Sequence, residues 1–456
     1  MKSYVTLCLS TIFTISSFAQ SWSEIGSGAN ALNANSIISA LYADASGNVY
    51  AAGGFTNSSG KYYVAKWNGT TWSELGSGAN ALNANSNIQA ITVDAANNVY
   101  AAGGFTNGAG EYYVAKWNGT SWAELGSGSN ALHANNYIYS LLADSAGNLY
   151  ATGVFSKSAG RGYVAKWNGT TWAELGAGGN ELNQDGFSLS LTADKQGNIY
   201  ASGFRDANLK GQVFQWNGTA WSQLGTGNTA LNANNIVYSM ATDTAGNVYA
   251  AGQFTDASGT WYVAKWDGTT WSPLGTGPNA LNAGFQSSTI NVITIDPAGY
   301  VYAAGIFKNS TLHAYVAKWN GTNWSELGTG TAALNAGNEI NSLVSDVYGN
   351  LYAGGIFANA SGKQYVAKWN GGVTDMEVSD VVLFDIYPNP SPGHFLLHVA
   401  SGSGEMVILN SLGQIIETRS FRGLNELEVE IAEKGIYFIQ VRSGNKYTTR
   451  KIIVGQ

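Results

Sequence analysis

Residues able to do chemistry recur along this chain at fixed spacing, and the most regular are carboxylates. Asp44, Asp94, Asp144, Asp194, Asp243, Asp296 and Asp346 each open a short stretch like Asp44-Ala45-Ser46-Gly47-Asn48. Hard cations want several oxygen ligands, and one carboxylate per stretch is too few. Asp, Gly and Asn in this order are also what a tight turn needs, so the expectation is a turn and no metal site. Catalysis would need paired carboxylates, metal-spaced His/Asp/Glu or a Ser/His/Asp set brought together. Glu111, Asp206, Asp256 and Glu339 stand singly in different parts of the chain, and only His133 and His313 of the histidines lie in the same region. The chain therefore predicts no catalytic residues and no cofactor.

Binding chemistry has better candidates. Asn33 and Asn83 each follow a leucine, as do His133, Asn183, Asn232, Asn282 and Asn335. An amide donates and accepts, which suits sugar hydroxyls, although it satisfies loop backbone equally well. Tyr62, Tyr112 and Trp261 occupy matching positions where other copies carry Gly162, Ala314 and Gln364. An aromatic ring that is not required in every copy is a candidate for stacking on a sugar or peptide; packing of a strand end is the competing reading. Arg205 and Asp206 break the pattern of their copy, which also carries Glu181 and Asp185. They mark either a site or drift. Lys66 and its copies, with Gln215 standing in once, are expected to be solvated or to hydrogen-bond between repeats.

What positions these residues is a repeat of about fifty residues, built on Tyr63-Val64-Ala65-Lys66-Trp67-Asn68-Gly69-Thr70-Thr71-Trp72. Asn-Gly between alternating apolar runs is a hairpin signal and predicts a type I′ turn. The Trp pairs are Trp67/Trp72, Trp117/Trp122, Trp167/Trp172, Trp216/Trp221, Trp266/Trp271 and Trp319/Trp324, which leaves Trp22 and Trp369 as orphans. Pairing the orphans closes a ring of seven repeats. Each repeat reads as four strands, the second carrying a glycine such as Gly53 where another backbone approaches. The fold class is all-β: a seven-bladed β-propeller over residues 21–372, its last blade closed by the N-terminal strand. The tight turns fall on one face, and the longer blade-linking and second-to-third-strand loops on the other. That loop-rich face is the default binding face, and near-identical blades would let weak repeated contacts act together.

Of the 456 residues 45% are hydrophobic and only 11% charged, against about 25% charged in an average soluble protein. With a net charge of −7 and no basic block, nucleic acid is not an expected partner. Residues 1–19 read as a signal peptide, with Lys2, an apolar run and Ser17-Phe18-Ala19 before Gln20, so cleavage is expected between Ala19 and Gln20. The only cysteine, Cys8, lies inside it, and the mature chain is expected to carry neither disulfide nor transmembrane segment.

Residues 373–380 read as a linker, and 381–456 as a small β-sandwich. Its motifs are Tyr387-Pro388-Asn389-Pro390 with Gly393, Asn410-Ser411-Leu412-Gly413, Gly435-Ile436-Tyr437 and Lys451-Ile452-Ile453-Val454. In order, spacing and terminal position these resemble the type A sorting domain of the type IX secretion system. That resemblance implies Pro388, Asn389, Pro390, Gly413, Gly435, Tyr437 and Lys451 as signal residues and the secretion machinery as partner. It also implies a route through the periplasm to the outer surface or the medium. The propeller resembles kelch and related extracellular bacterial propellers at the level of fold, which does not give function. The expected role is non-catalytic binding of a glycan or surface protein. The alternatives are a polysaccharide hydrolase or lyase, and a structural surface-layer component.

Overall fold

The computed structural model describes residues 20–455 apart from 145, 158–159, 183–185, 206–209, 232, 282–288, 371–383, 388–390, 400–402, 411–414, 423–425 and 444–445. Among the described residues, seven four-stranded antiparallel sheets follow one another. In the first blade the strands are Ile38–Ala43, Val49–Gly53, Ala65–Trp67 and Trp72–Glu74, hydrogen-bonded in chain order. The seventh has Ile340–Ser345, Leu351–Gly355 and Ala367–Asn370 from one end of the propeller and Ser21–Glu24 from the other. Trp22 pairs with Trp369, joining the two orphan tryptophans. The first strand of every blade touches those of both neighbours, the seventh meeting the first, so these strands surround an axis.

The tryptophans explain why the ring holds without disulfides. Trp72 Nε1 donates to the carbonyl of Ile25 at 3.0 Å, Trp122 to Leu75 at 2.7 Å, and so round the ring until Trp22 donates to Leu327 at 3.0 Å. Each of these carbonyls belongs to the chain leaving the previous blade. Serines add a second stitch near the axis, where Ser342 Oγ accepts from the Leu41 amide at 2.9 Å and Ser140 Oγ from Leu191 at 3.1 Å. Small residues at this register thus serve close contact between blades. The blade-linking Leu32, Leu82, Leu132, Leu182, Leu231, Leu281 and Leu334 are buried, plugging the core as their apolar side chains require.

The hairpin turn differs from its expected form. Trp67 pairs with Trp72, so the loop is four residues, and of Asn68 and Gly69 only Gly69 has positive φ, at 98°. Asn68 Oδ1 accepts from the amides of Thr70 and Thr71, both at 3.0 Å. The side chain mimics a turn carbonyl, and that local bond replaces the type I′ geometry. Lys66 also has a neighbour that the sequence reading did not name. Its ammonium lies 5.4 Å from the centroid of Tyr50 in the same blade, with Lys116, Lys166, Lys265, Lys318 and Lys368 placed likewise. Register causes this, because Tyr50 is the cross-strand partner of Lys66. Where Gln215 stands in, its amide donates to the Tyr200 hydroxyl at 3.3 Å.

The repeated aspartates are turn residues. Asp44 Oδ1 accepts from the amides of Ser46 and Asn48, and Oδ2 from the Asn48 amide group and the Tyr50 hydroxyl. For Asp94, burial pushes the carboxyl up, but hydrogen bonds from Asn98, Tyr100 and Ala96 outweigh it and hold it below its ordinary value. Asp243 behaves in the same way, held by Asn247, Tyr249 and Ala245. A depressed folded value stabilises above the unfolded pKa, about 4, and that stabilisation is lost as pH falls through the folded value. Thermal melts should therefore show stability falling on acidification below about pH 4, and Asp94→Asn/Asp243→Asn should flatten that fall. An unchanged acid slope in the double variant would contradict this account.

The tail is a separate unit with its own core. Phe384–Tyr387, His394–Val399 and Glu426–Glu430 form one sheet, and Ile415–Arg422, Ser403–Asn410, Gly435–Ser443 and Lys446–Val454 the other. Phe395, Leu397, Met406, Ile408, Ile439 and Val441 are buried together in that core. The strand Phe384–Tyr387 is not anticipated by the sequence reading, because its apolar run ends at once in Pro388-Asn389-Pro390.

Candidate functional site

The loop-rich face is tied down by its own hydrogen bonds. Asn33, Asn83, His133 and Asn335 have φ of 50°, 49°, 50° and 48°. That left-handed conformation suits Asn and turns the side chain back on the loop. Asn83 Nδ2 reaches the Gly78 carbonyl at 3.3 Å, and His133 Nε2 the Gly128 carbonyl at 2.8 Å. Glu111 binds His133 Nδ1 at 2.9 Å, which raises the pKa of that imidazole first through this bond and then through the Gly128 carbonyl. Glu181 accepts from the Gly178 and Gly179 amides. Asn57 Nδ2 grips Glu74, as Asn359 grips Glu24 across the ring closure.

Tyr62, Tyr112 and Trp261 are half-buried and pack against blade cores. The backbone of Tyr62 pairs with Ala84 of the next blade, and that of Tyr112 with Ala134. Their position is thus an inter-blade bridge as well as a strand end. Arg205 closes the strand Ile199–Arg205 after a register shift, and Asp206 and Asp185 lie outside the described residues. The sequence candidates are consequently spread over several blades. Tyr112 alone leads to something larger.

Its ring lies 5.4 Å from Tyr137, which stacks on Tyr139 at 6.0 Å and 23°. Tyr139 belongs to a ring of residues that begins each inner strand: Ser39, Gln89, Tyr139, Leu189, Tyr238, Asn291 and Asn341. In six of the seven blades a bulge lifts this residue out of the ladder. In the third, Ile138 pairs with Gly153 and Ser140 with Thr152, and Tyr139 has no partner. A bulged residue is re-aimed by the kink, and these line a cavity of about 770 Å³ at the axis on the loop-rich face. Ile37, Phe187, Ile236, Thr289 and Glu339 contribute a rim.

The mouth is asymmetric. Its aromatic rings, Tyr139, Phe187 and Tyr238, all come from consecutive blades three to five, which also supply Gln253, whereas blades six, seven, one and two supply Asn291, Asn341, Glu339, Ser39 and Gln89 together with Ile306 and Ile37. In a closed ring those arcs oppose each other. Tyr139 and Phe187 remain 37% and 38% exposed, large for aromatics in such a position. Burial, then the neighbouring Tyr137, raises the Tyr139 phenol above its ordinary pKa, keeping it neutral. Asn291 Nδ2 donates to Asn341 Oδ1 at 3.1 Å, and Tyr238 Oη lies 3.2 Å from Gln253 Oε1. Asn341 Nδ2 is buried without a hydrogen-bond partner.

Sequence reasoning passed over this ring because it looked for motifs shared by the repeats. The signal lies in the opposite place. Ser39 and its equivalents differ in type between blades that are otherwise close copies, next to the constant Ile38-like and Gly53-like residues.

Residues 385–455 match the family described as the secretion system C-terminal sorting domain. The tail is a type IX sorting domain. Such a tail implies export to the cell surface or secretion, and no helix among the described residues is long and apolar enough to cross a membrane. The signal residues Gly435 and Tyr437 stand in the sheet of this domain, with Tyr437 Oη donating to the Glu433 carbonyl at 3.0 Å. Lys451 is on the last strand, while Pro388, Asn389, Pro390, Gly413 and Ala19 lie outside the described residues. Gln20 is the first described residue.

No curated protein matches the chain. Among solved structures, the extracellular domains of two proteins described as hybrid two-component systems from B. thetaiotaomicron are similar. They have TM-scores of 0.53 each and 11% and 12% identity, and the matches cover 96% and 94% of this chain and 58% and 52% of theirs. PorZ, a surface component of the type IX secretion system of Porphyromonas gingivalis, matches with TM-score 0.47 and 15% identity over 92% of this chain and 59% of its own. The chain thus spans little more than half the length of these structures, and at their identity the two extracellular domains speak for the fold alone.

Proposed function

We propose that this protein is a non-catalytic binding protein displayed or released at the bacterial surface, and that its ligand occupies the axial mouth of the propeller. The asymmetric ring of Tyr139, Leu189, Tyr238, Asn291, Asn341, Ser39 and Gln89 carries this reading. Ligand sites are concave, combine apolar walls with a few convergent polar groups and hold about 300–1,000 Å³, and this cavity has those properties. The sorting tail supports an extracellular ligand, either glycan or surface protein. Among the described residues of the mouth Glu339 is the one carboxylate, and glycoside hydrolysis uses two flanking the bond. That supports binding over the hydrolase reading.

Full-length protein screened on glycan and peptide arrays should give a ligand lost in Tyr238→Ala and retained in Tyr348→Ala, at the far end of an inner strand. Retention in both variants would move the site away from the mouth. Products appearing in the same incubations, and abolished by Glu339→Gln, would establish an enzyme instead.

A further inference from the structure

Resting on that reading, we infer that the mouth takes an uncharged terminal sugar of a glycan end-on, one C–H face against the Tyr139–Phe187 arc and hydroxyls on the Asn291–Asn341–Gln89 arc.

Charge narrows the ligand first. Among the described residues no Lys, Arg or His lines the mouth, and Glu339 adds a negative charge. A phosphate, sulfate or uronate would be desolvated there without a counter-charge, which is costly. The polar groups are instead amides and hydroxyls, which both donate and accept as sugar hydroxyls do. Asn341 Nδ2 is a buried, unpartnered donor beside the mouth, and a turn of its amide group would bring it to a ligand oxygen.

The division into arcs narrows it further. A pyranose has one relatively apolar C–H face and a rim of hydroxyls, and the mouth offers stacked aromatics on one side and amides on the other. Tyr137 is fixed behind Tyr139 because Gly104 of the preceding blade has no side chain, and a Cβ there would collide with the Tyr137 ring. The stacking platform is therefore preorganised, which lowers the cost of ordering it on binding.

Shape sets the direction of approach. All seven blades contribute to the mouth, so it is a well rather than a groove with two open ends. Further along the inner strands Leu41, Ile91, Leu141, Leu191, Met240, Ile293 and Leu343 are all buried, each in the core between its blade and the preceding one, so no gap between blades opens the wall of the mouth. A polysaccharide lying across the face would leave the well unfilled. A chain end fills it. The differences among blades also make this one composite site rather than seven repeated ones.

The test uses full-length protein and calorimetric titration with three probes: a neutral oligosaccharide from the array, the same oligosaccharide lacking its terminal residue, and its sulfated counterpart. Binding is expected to the first alone. Tyr139→Ala and Asn341→Ala should each weaken it by about tenfold or more, and Tyr139→Phe should preserve it because the ring remains. Near-ultraviolet circular dichroism matching the parent shows that each variant is folded. Equal affinity for the trimmed or sulfated probe, or no neutral sugar bound at all, would overturn the inference. A peptide bound and then lost in Tyr139→Ala would overturn it too, while leaving the mouth as the binding site. Sugar binding indifferent to both alanine variants would overturn the two readings together.

Discussion

Trp22→Ala is expected to lower the free energy of unfolding by about 3 kcal/mol, the scale of an aromatic truncation at a packed site. The effect is large for a residue almost at the start of the described chain because Trp22 holds the ring shut. Its indole donates to the Leu327 carbonyl at 3.0 Å, and its ring lies 5.6 Å from Trp369. It sits at the centre of the Ser21–Glu24 strand that completes the seventh sheet. Without it the outer edge of Ala367–Asn370 loses its cover, and blades six and seven lose the indole hydrogen bond that joins them. Trp22→Phe keeps the ring contact and removes the Nε1 donor, so it should cost only about 1 kcal/mol. Urea unfolding of both variants checks this. A loss under about 0.5 kcal/mol for Trp22→Ala would mean that closure rests on the backbone pairing alone.

Gly153→Ala should combine a stability loss of about 3 kcal/mol with loss of ligand binding. A Cβ on Gly153 would run into the carbonyl oxygen of Tyr137, its neighbour across the bulge. The ladder must then open at Ile138, which displaces Tyr137 and Tyr139, the stacked pair of the mouth. Gly53→Ala collides likewise with Ile37, on the arc without aromatics, and should cost similar stability with a smaller effect on binding. Comparing the two by urea unfolding and ligand titration separates the general role of the bulge from its role in aiming the platform. Equal binding losses would show that the mouth responds to any loosening of the ring.

Much of this was legible in the sequence. The fifty-residue period, the Trp hairpins and the orphan Trp22 and Trp369 led to the seven-bladed ring and its closure, because strand pairing has a period that sequence displays directly. The Asp turns were legible for the same local reason, since their partners lie within six residues. The Asn-Gly turn was misjudged in type because Asn68 can serve either as a positive-φ residue or as an acceptor, and local sequence does not choose between them. The Tyr50 ring beside Lys66 was not legible because that neighbour is set by cross-strand register.

By itself, then, the sequence determined the repeat, the closed propeller and the sorting tail, all of them properties of local pattern and chain order. It also supplied Tyr112 as a candidate, without what lies behind it. The tertiary structure decided where the blades converge. Ser39, Gln89, Tyr139, Leu189, Tyr238, Asn291 and Asn341 are each about fifty residues from the next and carry no shared motif. Only the bulge that lifts most of them from the ladder, and the ring that brings seven inner strands to one axis, make them a single surface.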